Sequence, residues 1–581
     1  MRMAEQSTLA DFDQLPLYQE RRFVPVDADL RNKETVVALY ESLISRAIDT
    51  IAEFEHWILD RSELEAALDQ SGSVLYIRMT CQTDNPEHAG AYTRFIETII
   101  PAVEPLEDRL DRRYLELSKK FPLNKERYHV YTRAVKKDIE LFREENIPLK
   151  TQVRLLSQDY QTVCGAMTVN FQGKEYTLSQ ISKFLQEPDR SLRESAWRAS
   201  AGRRLQDKDR LEDIFDKMCG LRNQIAANAG YGNFADYQFN AYHRFDYTPA
   251  DCKEYHKTVA RIVVPLWSKV LERRRKLMKL DVLRPWDLQA DPLGRKPLKP
   301  FSQVNELIGG VERIFQKIHP DLGRQFAGMR ERGLLDLESR KGKAPGGYQN
   351  TLSEARQPFI FMNAVGVDDD VRTLLHEGGH AFHCLACAPD PLHEYRHGPM
   401  EFNEVASMSM ELLANDHLTE FYGPDDLLRS KQDHLEGVVH ILAWVALIDA
   451  FQHWIYENPG HSREDRKKQW VRLYGEFMGP AVDWEGTEDI LGFLWHRQLH
   501  VFEVPFYYIE YGIAQLGALQ IWLNARNDKD QAIARYREAL ALGGAKPLPA
   551  LFKAAGLRFD FSASTIAPLM EALAKELRLA L

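Results

Sequence analysis

The chain has 581 residues, and its 75 Lys and Arg against 85 Asp and Glu give a formal charge of −10. This acidic balance argues against nucleic acid as the main partner, because phosphate binding needs a basic surface. With 44% hydrophobic and 28% charged residues, the composition is that of a globular protein and excludes a disordered or fibrous chain.

The predicted elements are mostly amphipathic helices, because apolar residues recur at intervals of three and four over long stretches. In chain order, helices are predicted at residues 34–68, 93–117, 192–229, 252–280, 438–456, 507–523 and 564–579. Four prolines between residues 281 and 301 forbid a regular helix and indicate a surface segment there. The predicted fold class is mainly α.

Residues 342–370 depart from this pattern and predict a small sheet. Phe359–Met362 is short, apolar and aromatic, which is typical of a strand. As an edge strand it would pair with an extended peptide through main-chain hydrogen bonds, and Gly346 and Gly347 would let that peptide approach closely. The predicted substrate-binding residues are Gly346, Gly347, Tyr348, Phe361 and Asn363.

Three features predict a cytoplasmic chain. Six scattered cysteines are too few to staple a chain of this size and are expected to be reduced thiols. The N-terminus carries acids where a secretory signal would be apolar. The most apolar stretch, residues 438–451, is broken by His440 and Asp449 and falls short of the ~20 residues that span a bilayer, so it predicts a buried helix and no membrane partner.

The segment from Asp368 to His383 carries the most informative motif, His-Glu-Gly-Gly-His, at residues 376–380. On a helix His376 and His380 project from one face, about 6 Å apart along the axis, so both imidazoles can meet one metal ion. Glu377 flanks that face and is placed to take a proton from a water at the metal. The two glycines cost about 1 kcal/mol each in a helix, which indicates that something approaches the backbone closely.

A hydrolytic zinc site needs a third protein ligand. The downstream candidates are Glu394, Glu401, Glu404, Glu411, His383, His393 and His397. His383 shares the face of His376, but a rise of about 10 Å puts it beyond the reach of the same ion. A second helix is predicted at Met400–Ala414, with Glu404 and Glu411 on one face. Spacing alone leaves Glu401 and Glu404 as near-equal candidates.

The residues from His376 to His383, followed by Glu401 to Ser407, resemble the oligoendopeptidase F branch of the thimet oligopeptidase family of zinc peptidases. In that family the second acid of an acid-Phe-x-Glu-x-Pro-Ser stretch completes the zinc site, and this position is Glu404 here. Ala406 stands where many relatives have Pro. Further matches lie at residues 244–249, 283–288, 342–348 and 500–511, whereas the first 150 or so residues match loosely.

The resemblance implies a zinc-dependent endopeptidase that hydrolyses internal bonds of short unstructured oligopeptides. One Zn²⁺ per chain would be held by His376, His380 and Glu404, and Glu377 would act as the general base on a zinc-activated water. It also implies a zincin-type body of two helical lobes with a deep substrate channel. The expected division is an N-terminal helical lobe at residues 1–190 and a catalytic region at 191–581, with both contributing to one cleft.

The segment from His500 to Tyr511 is expected to supply donors to the developing oxyanion. Pro505 suits a first helical turn, and the three-residue spacing puts Tyr508 and Tyr511 on one face. The resemblance also places a His and paired Tyr hydroxyls at the site from this region. His500, Tyr508 and Tyr511 are therefore predicted catalytic residues, with Tyr507 as the alternative to Tyr508 if the register is off by one.

A second class of function is a peptide-binding scaffold that keeps a structural zinc without turnover. Glu377 separates the two classes, since a scaffold has no need for a base beside the metal. Because the chain retains Glu377 together with the donors of the His500 segment, the sequence favours the enzyme. The oligomeric state is left open.

Overall fold

The computed structural model describes residues 9–579 except Lys341 and Pro345, and only the backbone of Gln158 and Ser179. Pro345, part of the motif at residues 342–348, therefore lies outside the described residues. Helices make up most of the described chain, with five short strands. The prediction of a mainly α fold is confirmed.

The helices, in chain order, are α1 (Lys33–Ser45), α2 (Ile51–Cys81), α3 (Pro86–Arg94), α4 (Ile100–Lys120), α5 (Lys125–Leu141), α6 (Asn146–Gly165), α7 (Leu178–Ser182), α8 (Arg190–Gln206), α9 (Lys208–Asn228), α10 (Phe234–Ala241), α11 (Pro249–Thr258), α12 (Val264–Leu277), α13 (Val304–Ile318), α14 (Pro320–Glu331), α15 (Asp368–Cys387), α16 (Met400–Ala414), α17 (Pro424–Glu457), α18 (Arg463–Met478), α19 (Glu488–Gly492), α20 (Leu499–Glu503), α21 (Ile509–Asn527), α22 (Lys529–Ala541), α23 (Leu548–Ala554) and α24 (Ala563–Glu576). The strands are β1 (Thr168–Phe171), β2 (Lys174–Thr177), β3 (Leu335–Glu338), β4 (Tyr348–Leu352) and β5 (Gln357–Ala364).

Two of the long predicted helices are each divided in the structure. The helix expected at 34–68 is broken between α1 and α2, because Thr50 caps α2 through a reciprocal capping box with Glu53. The helix expected at 192–229 is broken near Asp207, where α8 ends and α9 begins. In both cases the apolar spacing continues through the break, so periodicity alone does not reveal it.

The sheet beside α15 has the strand order β3-β5-β4, with β3 parallel and β4 antiparallel to β5. Phe359–Met362 therefore lies in the central strand and not at an edge, which corrects the expectation from the sequence. A central strand covered on both faces also reads as a continuous apolar run, and Phe359, Ile360 and Phe361 are fully buried. The edge strand on this side is β4, at Tyr348–Leu352.

The chain forms two compact units, each assembled from three stretches. The first unit comprises Met1–Glu140, Lys299–Ser430 and Ala514–Phe559, and the second Leu141–Leu298, Lys431–Ile513 and Asp560–Leu581. The predicted boundary near residue 190 stays a prediction. In the first unit, α1, α2 and α4 enclose a core around Tyr40, Phe54, Trp57 and Tyr114, and the Trp57 indole donates to the carbonyl of Leu43 at 2.9 Å.

Helix α17 contains the apolar stretch singled out in the sequence and extends to 34 residues. By length and composition it could cross a membrane, but 78% of its most apolar window is buried inside the protein. Such burial is typical of the core helix of a folded protein. The prediction of a buried helix at residues 438–451 is confirmed.

Candidate metal centre

Helix α15 begins where the run of aspartates predicts, and Asp370 makes the contacts that fix its start. One carboxylate oxygen of Asp370 accepts the backbone N–H groups of Val365, Gly366 and Val367 at 2.8, 2.7 and 2.9 Å. A carboxylate that holds three amide donors stabilises the turn into the helix and complements the positive end of the helix dipole. The turn connects β5 directly to the helix that carries the His-Glu-Gly-Gly-His motif.

The two glycines of the motif set how closely neighbouring elements approach α15. A Cβ at Gly379 would lie 2.5 Å from the Cα of Ser407 and 2.6 Å from the carbonyl oxygen of Ala406, both in α16. A Cβ at Gly378 would lie 2.4 Å from the ring of Phe315. The close approach inferred from the sequence is therefore that of another helix and of an aromatic ring, and it puts α15 and α16 in backbone contact.

This contact brings three predicted ligands together. One nitrogen each of His376 and His380 and one carboxylate oxygen of Glu404 lie within 4.8 Å of one another. Glu404 Oε2 is 3.3 Å from His376 Nε2 and 3.6 Å from His380 Nε2. Two ligands on one tetrahedral zinc ion are about 3.3 Å apart, so the donor set and its spacing fit zinc.

Two further residues hold these ligands in place. His376 Nδ1 donates to Glu411 Oε1 at 2.7 Å, and Ser407 Oγ donates to Glu404 Oε2 at 3.1 Å. Glu411, one of the open candidates for the third ligand, therefore lies behind a histidine, the usual position of a carboxylate that orients a metal-binding imidazole. The sequence reasoning missed Ser407, and its signal is a hydroxyl three residues after an acid on the same helix.

Other candidate ligands from the sequence have different surroundings. Glu401 is buried in the first turn of α16. His383 is buried, and its ring packs against Phe402 at 6.1 Å between centroids. The backbone of the loop after α15 passes close to His383, since a Cβ at Gly398 would lie 2.6 Å from its Cε1. His383 is thus a packing residue, as its rise along the helix predicts.

The charges at the centre are strongly coupled. Burial opposes the charge of His376, but hydrogen bonds with Glu404 and Glu411 outweigh it and raise its pKa. Burial lowers the pKa of His380 to about 4. Burial disfavours the Glu404 carboxylate, yet the charge of His380 and the hydrogen bond with His376 lower its pKa to about 2. Glu404 is therefore an anion and His380 a neutral imidazole at pH 7, the forms that bind metal ions.

Glu377 lies beside the ligands and is 7% exposed. Burial raises its pKa to about 7, and the charge of Glu404 adds to the shift. Its carboxylate also accepts a hydrogen bond from the backbone of Gln349 in the edge strand β4. A carboxylate poised near neutrality and held against a strand can exchange a proton at physiological pH.

The residues predicted to bind substrate form a tightly held loop and strand. Asn363 Nδ2 donates to the carbonyls of Ala344 and Gly346 at 2.7 and 3.0 Å. Tyr348 stacks on Phe361 with ring centroids 4.8 Å apart, and its hydroxyl lies 2.6 Å from that of Thr80. Phe361 itself is fully buried.

Lys343, which the sequence reasoning did not single out, anchors the same loop. Its buried ammonium donates to the Asp336 carboxylate at 2.9 Å and to the carbonyl of Met362 at 2.6 Å. A buried charge with several acceptors fixes its surroundings, because each lost contact leaves an unpaired charge. Asn363 and Lys343 therefore position the loop that leads into β4.

The predicted donors His500, Tyr508 and Tyr511 belong to the second unit and lie together. The ring of His500 is 4.9 Å from that of Tyr508 and 5.8 Å from that of Tyr511, and Tyr507 lies 6.0 Å away. Gln498 Nε2 donates to His500 Nδ1 at 2.8 Å.

Two details of this segment differ from expectation or add to it. Pro505 does not start a helix: it lies between α20 and α21, where Phe506 takes a positive φ of 68°. Tyr508 is 8% exposed, and burial raises its pKa to about 12. Tyr507 is more exposed than Tyr508. The choice between Tyr507 and Tyr508 as donor stays a prediction.

Two more groups of His, Cys, Asp or Glu converge closely enough to hold a metal ion. One comprises Asp69, His393 and His397 in the first unit, with Asp69 and His397 exposed. The other comprises Cys252, Asp449 and His453 in the second unit, all buried. Burial also raises the pKa of Glu65, near the His393 group, to about 7, but Glu65 is paired with Arg61 at 2.6 Å. The group at His376 is the candidate reaction centre because Glu377, with a pKa raised to about 7, directly follows one of its members in the chain.

Comparisons with known proteins find relatives over most of the chain. The sequence profile of peptidase family M3 matches residues 183–570, and that of the peptidase M3 N-terminal domain matches residues 26–142. An oligoendopeptidase F homolog of Borreliella burgdorferi is 22% identical over 418 residues, 68% of each chain. Among solved structures, PZ peptidase A with an inhibitor is similar at a TM-score of 0.88 and 26% identity, covering 96% of this chain and 99% of that one. A structure described as an oligoendopeptidase F gives the same score and identity over 97% and 99%.

Proposed function

The chain belongs to peptidase family M3 and is a metallopeptidase, and from this premise we propose that it is a zinc-dependent endopeptidase of short oligopeptides. His376, His380 and Glu404 would hold one zinc ion per chain. The observation that carries the proposal is the convergence of these three ligands beside a buried glutamate with a raised pKa.

The metal would supply a Lewis acid and would lower the pKa of a water molecule in its open coordination position. The chain's own contribution is the shape and charge of the site. Glu411 holds the His376 ring through Nδ1, which leaves Nε2 directed at Glu404 and available to the ion. Ser407 holds the carboxylate of Glu404 in the same way.

Glu377 would act as the general base and then as the general acid. In its ionised form it takes a proton from the attacking water, and in its protonated form it delivers that proton to the leaving amine. Both forms are accessible near pH 7 because burial raises the pKa to about 7. A more exposed glutamate would keep its ordinary pKa and would be a poorer acid for the second transfer.

We propose that the substrate backbone pairs with the outer edge of β4. This strand has one neighbour, β5, in the three-stranded sheet, and Gln349 within it already contacts Glu377. A peptide added as a further strand would therefore run beside the general base. Its main-chain hydrogen bonds to β4 would bind the peptide backbone independently of the peptide sequence. Such pairing suits unstructured peptides and excludes chains whose backbone is already paired.

His500, Tyr508 and Tyr511 are proposed to donate hydrogen bonds to the substrate carbonyl as negative charge develops on it. Support comes from their mutual proximity and from the resemblance of their segment to the family pattern. Removing one hydroxyl as Tyr→Phe should lower kcat about 10²-fold to 10³-fold if that residue is a donor. Comparing Tyr507→Phe with Tyr508→Phe decides between the two neighbours.

The central test is Glu377→Gln, assayed on a quenched fluorescent peptide. We expect kcat to fall about 10²-fold to 10⁴-fold with zinc content unchanged, because Glu377 is a base and not a ligand. Glu394→Gln, at an exposed glutamate, is the matched control and should keep full activity. Wild-type turnover by Glu377→Gln would contradict the mechanism, and cleavage that resists chelation would contradict the metal.

Substrate class is tested by digesting a peptide library of graded length and reading product masses. An oligopeptidase should cleave short peptides at internal bonds and leave folded proteins intact. Turnover also separates the enzyme from a scaffold that only binds peptides. Binding without any product, at full zinc occupancy, would support the scaffold. A cytoplasmic location is part of the proposal and can be checked by cell fractionation.

A further inference from the structure

Two helices of the second unit each direct a pair of metal-binding side chains at the same buried point. Helix α11 carries Cys252 and His256, and α17 carries Asp449 and His453. Each pair has the four-residue spacing that puts both side chains on one face of a helix. The exposed fractions are 0% for Cys252 and Asp449, 2% for His453 and 8% for His256.

The distances among these groups suit a metal ion. One ligand atom each of Cys252, Asp449 and His453 lie within 4.8 Å of one another, the same criterion that the His376 group meets. Asp449 Oδ2 is 3.4 Å from His453 Nε2, close to the about 3.3 Å between two ligands on a zinc ion. His256 Nε2 lies closer, at 2.7 Å from Asp449 Oδ2, which is a hydrogen-bond distance.

One buried carboxylate oxygen in this cluster makes no hydrogen bond. Within the part of the chain that the structure describes, Asp449 Oδ1 is buried and makes no hydrogen bond, whereas the two ring nitrogens of His453 face Asp449 and Glu457 at 3.4 and 3.6 Å. An ionised carboxylate taken out of water is costly unless it is paired or bound to a cation. His256 and His453 pair with Oδ2 of this carboxylate, and Oδ1 remains available to a further ligand.

The surroundings of His453 resemble those of a metal-binding histidine. Glu457 Oε1 lies 3.6 Å from His453 Nδ1 and is held by Lys253 at 2.7 Å. This is the arrangement of Glu411 behind His376, at a longer distance. The rings of Phe506 and Phe239 pack on His453 at 5.1 and 6.0 Å between centroids and form an apolar wall.

We propose that Cys252, Asp449 and His453 form a second metal site, which binds a divalent transition ion of the zinc class and ties α11 to α17. His256 donates its Nε2–H to Asp449 and orients that carboxylate without binding the ion. Thiolate, imidazole and carboxylate are together a set that zinc accepts, whereas calcium and magnesium prefer oxygen ligands alone. Because the group is sealed, the ion enters during folding and is structural.

The test starts from a protein whose reaction centre cannot hold metal. The double variant His376→Ala/His380→Ala is purified after growth in zinc and its metal content is measured by mass spectrometry. We expect about one equivalent of zinc per chain, resistant to brief chelation. A double variant that folds and carries no metal would overturn the proposal and leave a buried ion-pair cluster in its place.

Cobalt identifies the ligands. In the same double variant loaded with Co²⁺, a cysteine ligand should give sulfur-to-cobalt charge-transfer absorption in the near ultraviolet. Cys252→Ser should abolish that band, and Cys219→Ser, at another buried cysteine of the second unit, should leave it intact. Neither the His376 group nor the group of Asp69, His393 and His397 contains sulfur.

These readouts stay informative if Cys252→Ser does not fold, because the band of the double variant alone decides whether sulfur binds. Bound cobalt without the band would locate the ion elsewhere and overturn the assignment. Peptidase activity is measured separately in the wild-type protein. Absence of a second metal site would therefore not contradict the proposed peptidase function, and absence of peptidase activity would not contradict the second metal site.

Discussion

The centre on α15 and α16 and the cluster on α11 and α17 are built from the same part, a pair of ligands four residues apart on a helix, but their surroundings differ. The side chains of His376 and His380 are 23% and 17% exposed, whereas those of Asp449 and His453 are 0% and 3% exposed. The first group also has Glu377 beside it. The four-residue spacing of two ligands therefore predicts that a helix can bind a metal ion. Whether the bound ion can catalyse a reaction depends on access of substrate to the ion and on a neighbouring general base.

The protonation of buried histidines on α17 makes the same distinction within one helix. At His453 burial opposes the charge, yet Asp449 and Glu457 raise the pKa to about 9. At His440, which packs against Trp267 and Trp444, burial lowers the pKa to about 4. Carboxylates, and not depth alone, therefore determine how tightly the histidines of this core hold a proton, and a metal ion bound by His453 would displace that proton.

The largest effect is expected from removing a predicted metal ligand of the centre on α15 and α16. Glu404→Ala should lose zinc from that centre and lower kcat/KM by more than about 10³-fold, because the metal supplies most of the electrostatic stabilisation. Zinc content and peptide cleavage are measured on the same preparation. If the sealed cluster holds a second ion, content falls from two equivalents to one, and full activity with Glu404→Ala would contradict the ligand assignment.

The next effect tests the backbone contact between α15 and α16. Gly379→Ala should destabilise the protein by about 2–4 kcal/mol, because its Cβ would meet backbone atoms that cannot move aside. It should also weaken zinc binding, since the contact sets the distance between the histidines and Glu404. Urea unfolding and zinc titration measure the two effects.

Gly437→Ala in α17 is the matched control for that variant. A Cβ at Gly437 meets nothing within 4 Å, so alanine there should be neutral or stabilise by up to about 1 kcal/mol. Equal effects of the two substitutions would show that helix propensity and not interhelical contact explains the loss.

A smaller effect is expected from replacing Glu411, which accepts the hydrogen bond of the predicted ligand His376. Glu411→Gln should weaken zinc binding by about 10-fold to 100-fold, because the amide holds the His376 ring but no longer raises its basicity. Competition with a chromophoric chelator measures the affinity. An unchanged affinity would mean that Glu411 contributes only packing.

The smallest effect concerns His440 and the pH dependence of stability. Its pKa is about 4 in the folded protein against 6.5 in the unfolded chain, so the unfolded chain binds the proton first and stability falls as the pH drops below 6.5. Between pH 7.5 and 5, wild type should lose about 1–2 kcal/mol more than His440→Phe. Parallel curves in urea unfolding would contradict the predicted shift.

Local patterns in the sequence predicted which helices would bring His376, His380 and Glu404 together. Helix α16 has the bounds that were predicted, and α15 begins at the first residue of the aspartate run. The ligand group could be proposed because all its members lie within 30 residues, on two helices joined by a short loop. Glu401 and Glu404 could not be separated by spacing, since that choice depends on how α16 is rotated against α15.

Features that depend on distant parts of the chain could not be predicted. Whether Phe359–Met362 is a central or an edge strand depends on its pairing with β3 and β4. No pattern in the sequence of Phe359–Met362 indicates that pairing. Cys252 and Asp449 are separated by 197 positions in the chain. The sequence therefore contains no indication that the Cys252 thiol lies beside a carboxylate and an imidazole. The break at Thr50 did have a signal, the Thr-x-x-Glu capping box, which apolar periodicity obscured.

The glycine at position 379 has a consequence for protein engineering. Where two helices touch through their backbones, van der Waals contact between main-chain atoms fixes the distance between the helices, and the surrounding side chains contribute stability without setting that distance. Libraries aimed at thermal stability or altered specificity can therefore vary most of the surrounding core, provided that residues 378 and 379 stay glycine. A chain redesigned in this way should retain the spacing of its metal ligands.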